Sequence, residues 1–405
     1  MPFSSSAEKI ADHLQTVGFV EVHAHHDADG IAAASLICTA LSRIQVPFHL
    51  RIRENITAAA VPQDRPVLLC DFGSSLQDLP ESVMVIDHHV PSFTGEFHVN
   101  PRLHGIDGDL ELSTSGAAYQ VALHLGDNRD LAGLALLGVI GDKQEISGEN
   151  REIVHEGIAN GVISTKHAFA LAGRDLYEQL FFATDPFLPD ISGNDAVARD
   201  LCGMVESGTP PEDDPVFLSR LVLETGSVAS AEALQRIVSE IYELEREVIA
   251  PAPAMAAVID ACGKSGRGGL AVSLCMGDPA GLDEAWEIFT TFRQRIITGY
   301  NSAASLESGW YTVNDTGVVS DIADLLASDL IQASPVFVLA KEGEICRVSA
   351  RSSPGLNLNL DSVISEAASA VGGSGGGHGM RAGATIPQGG ADRFRQIVTE
   401  AIAAC

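Results

Sequence analysis

Basic residues are scarce in this chain: 25 Lys and Arg stand against 54 Asp and Glu, for a formal net charge of −29. A surface of that sign argues against gripping nucleic acid through a broad basic face and leaves room only for a small basic cleft. Two explanations of the charge stand side by side: a surface adapted to a salt-rich cytoplasm, where screening blunts self-repulsion, or a protein that binds no polyanion. Also missing is any uninterrupted apolar run of about 18 residues, and Met1-Pro2-Phe3-Ser4-Ser5-Ser6 has no basic stretch leading into an apolar one. The sequence therefore reads as soluble and cytoplasmic, with no membrane partner. The seven cysteines are odd in number and scattered, with no Cys-x-x-Cys pair, which argues against a disulfide framework or a zinc knuckle.

What is present is ample core material: 405 residues, 45% of them hydrophobic, predict two or three domains. Ser4-Ser5-Ser6 caps a helix carrying Ile10, Leu14 and Val17, which ends near Gly18. A strand from Phe19 to His23 runs into His23-Ala24-His25-His26-Asp27-Ala28-Asp29-Gly30, and a helix follows over Ile31 to Arg43. The pattern recurs where Val67-Leu68-Leu69-Cys70 meets Asp71 and where Val83-Met84-Val85-Ile86 meets Asp87-His88-His89. Both runs read as buried parallel strands. Ligands of open α/β sheets sit at the carboxyl ends of the strands, so these three ends converge on one crevice.

Downstream, Ser113-Thr114-Ser115-Gly116 reads as a helix cap ahead of Tyr119 to Leu125, and a helix from Leu131 to Ile140 ends at Gly141-Asp142. A carboxylate just past a helix C-terminus gains nothing from the helix dipole, and a cation would supply a reason for Asp142. Composition turns to Pro, Gly, Asp and Glu over 184–216. Leu234, Ile237, Ile241, Leu244 and Val248 then predict one long amphipathic helix stopped by Pro251 and Pro253. Beyond it, Leu270–Cys275, Pro335–Ala340 and Ile345–Ala350 read as strands, and Asp361–Val371 and Ala391–Ala404 as helices. The expected architecture is α/β: a parallel-sheet domain over 1–180, a helical insert and linker over 181–252, and a smaller α/β domain over 253–405.

Asp27, Asp29, Asp71, Asp87 and Asp142 with His23, His25, His88 and His89 would crowd carboxylates into one crevice, at a cost in repulsion that divalent cations relieve. Carboxylate with imidazole and no thiolate suits two Mn²⁺ ions, with Mg²⁺ the all-oxygen alternative. A metal pair is the standard device for in-line displacement at phosphorus, so the chemistry points to phosphate-ester hydrolysis. Arg51, Arg53, Lys143 and Lys166 could line a cleft, but scattered cations in an acidic protein read first as surface ion pairs.

These motifs resemble those of the DHH phosphoesterase family: His25-x-Asp27-x-Asp29, Asp71, Asp87-His88-His89 and Gly141-Asp142, with Arg351-Ser352-Ser353 and Gly375-Gly376-Gly377-His378 similar to the family's associated C-terminal domain. Within the family, His-x-Asp-Ala-Asp-Gly-Ile most resembles the archaeal RecJ-like nucleases, metal-dependent exonucleases of single-stranded DNA or RNA. By this resemblance Asp27, Asp29, Asp71, His88 and Asp142 are metal ligands, Asp71 being the bridge, and the ligand histidine is either His23 or His25. His89 is implied to stabilise the attacked phosphate and Asp87 to orient a neighbouring histidine. Ser113, Thr114, Ser115, Arg351, Ser352, the glycines 375 to 377, His378 and Arg381 are implied substrate contacts. The implied partners are single-stranded nucleic acid or oligonucleotides, together with replication or repair proteins. Two other functions remain open. One is a phosphoesterase of small substrates such as oligoribonucleotides, nucleoside bisphosphates or cyclic dinucleotides, although the insert exceeds what that needs. The other is a replication-complex partner.

Overall fold

A computed structural model describes residues 3–206, 208–307, 309–330, 335–352, 358–377 and 379–403. The chain divides into two compact units, one of residues 1–166 with 240–289 and the other of 167–239 with 290–405.

In the first unit, helix α1 (Phe3–Thr16) precedes β1 (Val20–His25), which runs two residues past its predicted end and carries His25 on the strand. Asp27 caps α2 (Ala28–Arg43) by accepting from the Gly30 amide at 3.1 Å. Strands β2 (Phe48–Arg53), β3 (Val67–Cys70), β4 (Met84–Ile86) and β5 (His98–Val99) follow. All pair in parallel in the order β2-β1-β3-β4-β5. β3 and β4 are buried throughout, which is why they read as continuous apolar runs. The strand order reverses between β1 and β3, and a sheet of this order opens its ligand crevice at that switch point.

Helices α3 (Thr114–Leu125), α4 (Ala132–Gly141) and α5 (Gly148–Ala159) complete the N-terminal run. α4 is apolar on every side and correspondingly buried from Ala132 to Val139, packed against α2 and α3.

Strand β6 (Ile163–Phe169) leads into the second unit, where α6 (Leu176–Phe181), α7 (Asp195–Met204), α8 (Pro215–Thr225) and α9 (Ala231–Ile237) enclose a core that includes Leu180, Leu201, Phe217 and Leu221. The single long helix predicted over 234–248 does not form. α9 ends at Ile237 and the chain continues as β7 (Val238–Leu244). Val238, Ile241 and Tyr242 suit a strand, and backbone pairing such as Ala170 N to Ile237 O at 2.8 Å overrides a helical spacing of apolar residues.

The chain then returns to the first unit with α10 (Ala252–Lys264) and α11 (Gly268–Cys275), which pack on α2. Residues 240–289 thus belong in space with the N-terminal sheet, whereas the sequence grouped 253 onward with the C-terminal region. Leu270–Cys275, predicted as a strand, lies in α11. A short apolar run has no period long enough to separate a buried helix from a buried strand.

Helix α12 (Leu282–Asn301) passes into the second unit after Phe289. There β8 (Ala304–Glu307), β9 (Trp310–Val313), α13 (Val319–Ser328), β10 (Val336–Glu342), β11 (Ile345–Arg351), α14 (Leu360–Ala370), β12 (Ser374–Gly377), β13 (Arg381–Pro387) and α15 (Ala391–Ala403) form a mixed six-stranded sheet with helices. Its order is β12-β13-β11-β10-β9-β8 and only β9 and β10 are parallel. Trp310, Phe337, Val348, Ile364 and Phe394 lie in its core.

α10 is fixed by close backbone approach: a methyl group on Gly263 would lie 1.7 Å from the carbonyl oxygen of His26. Gly263→Ala should therefore destabilise the protein by about 1–3 kcal/mol in urea unfolding. An unchanged midpoint would mean that α10 does not pack there.

Candidate metal centre

The sheet order puts the β3 loop between those of β1 and β4, so Asp71 stands between the His25 and His88 sides of the crevice. Asp71 adopts a left-handed backbone, φ 65°, which Asp tolerates better than most residues. Its Oδ2 lies 3.3 Å from His25 Nδ1, and its Oδ1 lies 3.6 Å from His88 Nε2 and 3.9 Å from His89 Nδ1. His25 Nδ1 also meets Asp27 Oδ2 at 2.7 Å, and His88 Nε2 meets Asp142 Oδ2 at 3.3 Å. Three groups have donor atoms within 4.8 Å of one another: His25 with Asp27 and Asp71, Asp71 with His88 and His89, and Asp29 with His88 and Asp142.

Supporting contacts hold each acid. Asp29 is fully buried at the N-terminus of α3, where the Thr114 and Ser115 amides donate to its two oxygens at 2.8 Å each. No side chain fits behind it, because a Cβ on Gly138 would sit 1.9 Å from Asp29 Oδ1. The Thr114 hydroxyl donates to Asp71 Oδ1 at 2.9 Å, the Ser115 hydroxyl donates to the Ala135 carbonyl, and Ser113 caps α3. Ser113, Thr114 and Ser115 are wholly buried, so this hydroxyl segment supports the acids from behind. Asp87 accepts from the Ser74 amide through Oδ2 and meets His89 Nδ1 through Oδ1 at 2.7 Å.

His23 is not brought to these groups. It is buried between Glu21, whose Oε1 lies 3.0 Å from Nε2, and Arg53, whose Nε donates to Nδ1 at 2.9 Å. A carboxylate can only accept and a guanidinium can only donate, so Nε2 carries the proton and Nδ1 spends its lone pair on Arg53. Burial first, and then the nearby arginines, depress the His23 pKa despite Glu21, in keeping with a neutral ring.

Sequence reasoning missed the supports of His88. Its Nδ1 bonds the Gly108 carbonyl at 2.6 Å, which Gln144 also reaches, and Arg102 Nε donates to the His88 carbonyl. A Cβ on Gly108 would lie 2.4 Å from the His88 oxygen, so only glycine allows the approach. Asn100 Nδ2 reaches both Ser74 Oγ and the His89 carbonyl. These residues lie in loops and one short 3-10 turn (Pro101–His104), and no periodicity or spacing marks them.

In the second unit Arg351 and Arg381 are cross-strand partners, and Asp324 on α13 accepts from both, at 2.5 Å from Arg351 Nε and 2.9 Å from Arg381 Nη2. Asp324 went unnoticed in sequence. Ser352 is buried and its amide bonds the Met380 carbonyl. Gly375, Gly376 and Gly377 form edge strand β12, where a Cβ on Gly377, at φ 155°, would lie 2.2 Å from the Arg381 oxygen. Close backbone pairing is thus one physical reason for the run. His378 lies outside the described residues.

The two units combine a parallel α/β sheet bearing an Asp/His centre with a mixed-sheet C-terminal domain, the arrangement of RecJ-like proteins. Residues 19–139 match the DHH family N-terminal domain and residues 308–404 match the DHHA1 domain; the chain belongs to the DHH family. It is 26% identical over 98% of its length, and 95% of the relative's, to the uncharacterized protein MJ0831 of Methanocaldococcus jannaschii. Its fold is similar to RecJ in complex with Mn²⁺ from Thermus thermophilus, with TM-score 0.61, 20% identity and 99% of this chain covered. It spans only 55% of that RecJ. CDC45 from Entamoeba histolytica gives TM-score 0.63 at 12% identity, with 99% of each chain covered. No helix among the described residues is long and apolar enough to cross a membrane.

The donor set fits divalent cations on electrostatic grounds. Burial first, then the carboxylates of Asp27, Asp29, Asp142 and Asp87, push the Asp71 carboxyl well above its ordinary range. Burial opposes ionisation of Asp27 as well, yet the charge of His25, together with hydrogen bonds from it and the Gly30 amide, holds that carboxyl well below the usual range. In chelator the folded protein therefore binds a proton at Asp71 more tightly than the unfolded chain does, and this group makes stability fall as pH rises from the ordinary carboxylate range through the raised one. Asp71→Asn should raise the metal-free Tm at pH 8, by about 2–4 °C for each kcal/mol relieved, and flatten its pH dependence. A lower Tm in chelator would contradict this.

Proposed function

We propose that the chain is a metal-dependent phosphodiesterase that hydrolyses single-stranded DNA, and also RNA, from an end, as a RecJ-like exonuclease. The observation that carries this reading is the meeting of His/Asp groups at one shared carboxylate, Asp71. His25, Asp27 and Asp71 would hold one divalent ion, and Asp71, Asp29, His88 and Asp142 a second, with Mn²⁺ suited to the imidazole-carboxylate set and Mg²⁺ the alternative. When bound, such ions supply charge for the phosphoryl oxygens and hydroxide at neutral pH.

The remaining chemistry belongs to side chains. Asp87 takes the proton of His89 Nδ1 as a hydrogen-bond acceptor and so aims the ring, whose side chain is 36% exposed. Burial disfavours the Asp87 anion, but the charge of His89 and hydrogen bonds from His89 and the Ser74 amide hold its carboxyl far below the usual range. His89, aimed by that anion, is the proposed contact of the attacked phosphate as negative charge builds there. Arg351 and Arg381 are the proposed phosphate contacts of the C-terminal domain, with Asp324 fixing their forks until substrate competes. The glycine strand is proposed to offer backbone amides to that phosphate. The net charge of −29 favours a second reading, cleavage of short oligonucleotides or dinucleotides rather than long strands. Likeness in fold to CDC45 supports replication-protein partners alongside catalysis.

End-labelled single-stranded DNA, RNA, dinucleotides and cyclic dinucleotides, each incubated with Mn²⁺, separate these readings. The exonuclease reading expects mononucleotides released stepwise, with Asp87→Ala about 10²–10⁴-fold slower. Cleavage of dinucleotides alone would move the assignment to a small-substrate enzyme, and no cleavage in any metal would favour a partner role. In Mn²⁺ titrations, His25→Ala should bind at least about tenfold more weakly, while His23→Gln keeps wild-type affinity. The reverse pattern would assign the ligand to His23.

A further inference from the structure

Phe182 closes α6 in the second unit, next to two aromatic residues with a plainer role. Tyr177 and Phe181, on the same helix, pack against the core that includes Leu180 and Phe217. Their rings stack at 5.4 Å, and Phe181 meets the Phe182 ring edge to face, at 4.8 Å and 89°. Phe182 is thereby held half-buried, and it walls a cavity of about 630 Å³. Helix α12 supplies another wall with Thr291, Gln294 and Thr298, whose steps of three and four put them on one helix face.

The lining is polar without carrying a surplus of charge. Arg295 is the one cation among the described residues that line it, and Asp315 takes its Nε and Nη2 at 2.8 Å each. That pair is fixed in place: Asp315 also accepts from the Gly317 amide at 2.9 Å, and a Cβ on Gly317 would lie 2.6 Å from Arg295 Nη2. A carboxylate so close to the guanidinium makes a poor seat for phosphate. The other polar groups are hydroxyls and the carboxamides of Gln294 and Asn314. An aromatic wall, uncharged donors and acceptors, and the volume of a small-molecule site suit a planar heterocycle with a polar edge. A nucleobase is such a group. The net charge of −29 leads to the same ligand, because bases are the part of a single strand that an acidic protein does not repel.

We infer that this cavity takes one base of a single-stranded substrate, stacked on Phe182 with its polar edge on Gln294 and Asn314. Phe181 is the positioning residue for that ring. The inference rests on the phosphodiesterase reading and deepens it: a grip on bases lets a chain with few cations hold a polyanion.

The test measures binding of end-labelled single-stranded DNA to the full-length protein in Ca²⁺, which suppresses turnover, and cleavage of the same strand in Mn²⁺. A second strand of equal length, abasic throughout, keeps the phosphates and lacks the bases. Loss of one stacked base predicts that Phe182→Ala binds the normal strand about 5- to 150-fold more weakly, and that Phe182→Trp recovers most of the loss. Thr298→Trp, at an exposed position of α12, should fill the cavity and weaken binding comparably while leaving the core intact. Neither Phe182→Ala nor Thr298→Trp should change binding of the abasic strand or the slope of log affinity against log salt, since no phosphate contact is lost. Wild-type affinity for the normal strand in either variant would overturn the inference, and cleavage by the wild-type protein would leave the phosphodiesterase reading standing. Equal losses on the abasic strand would also overturn it, since the contact would then be to the backbone. A mononucleotide that binds the wild-type protein as tightly as the strand, and displaces it, would make the cavity a free-nucleotide site and overturn its place in strand binding. If wild-type protein neither binds nor cuts any oligonucleotide, the phosphodiesterase reading itself fails and this contact fails with it.

Discussion

Repulsion at Asp71 is the constraint on which the rest of the site depends. The carboxylate is almost fully buried, faces imidazoles on two sides and has four other acids close enough to raise its pKa. Such a residue is unfavourable in a metal-free protein at neutral pH. It is tolerated because the surroundings are over-determined: a left-handed backbone aims it, a buried threonine hydroxyl holds one oxygen, and the parallel sheet sets its neighbours. That cost is of a kind a divalent cation would relieve, and the carboxylate and imidazole donors fit such an ion.

Around that carboxylate, the fold uses absence of side chains as a building material. Gly138 leaves room for Asp29, and Gly108 lets its own carbonyl reach His88. Helix α2 contributes Ala28, Gly30, Ala32, Ala33 and Ala34, all buried. Small residues let the helices approach the sheet closely enough for backbone amides of α3 to reach Asp29. Precision at the acids is thus a packing property, and methyl groups remote from the chemistry would disturb it.

Much of this was legible in sequence because buried parallel strands announce themselves as apolar runs. The ends of β1, β3 and β4 carried their acids in plain view, and the family motifs ordered them. The choice between His23 and His25 was not legible, since both lie on the same face of one strand and only tertiary partners, Glu21 and Arg53, tell them apart. The helix expected over 234–248 failed for a related reason: its steps of three and four are satisfied, but the hydrogen-bond partners that favour a strand come from elsewhere in the chain. Asp324 escaped notice because its meaning comes from Arg351 and Arg381, which only strand pairing brings together.

The central claim is that one carboxylate, Asp71, is shared by two metal-binding groups. Electron paramagnetic resonance during Mn²⁺ titration of chelator-treated protein tests it most directly, because ions joined through one carboxylate couple magnetically and isolated ions do not. The account predicts uptake of two equivalents with a coupled spectrum, and a spectrum of isolated ions in Asp71→Asn. A single equivalent with an uncoupled spectrum in the wild-type protein would contradict it.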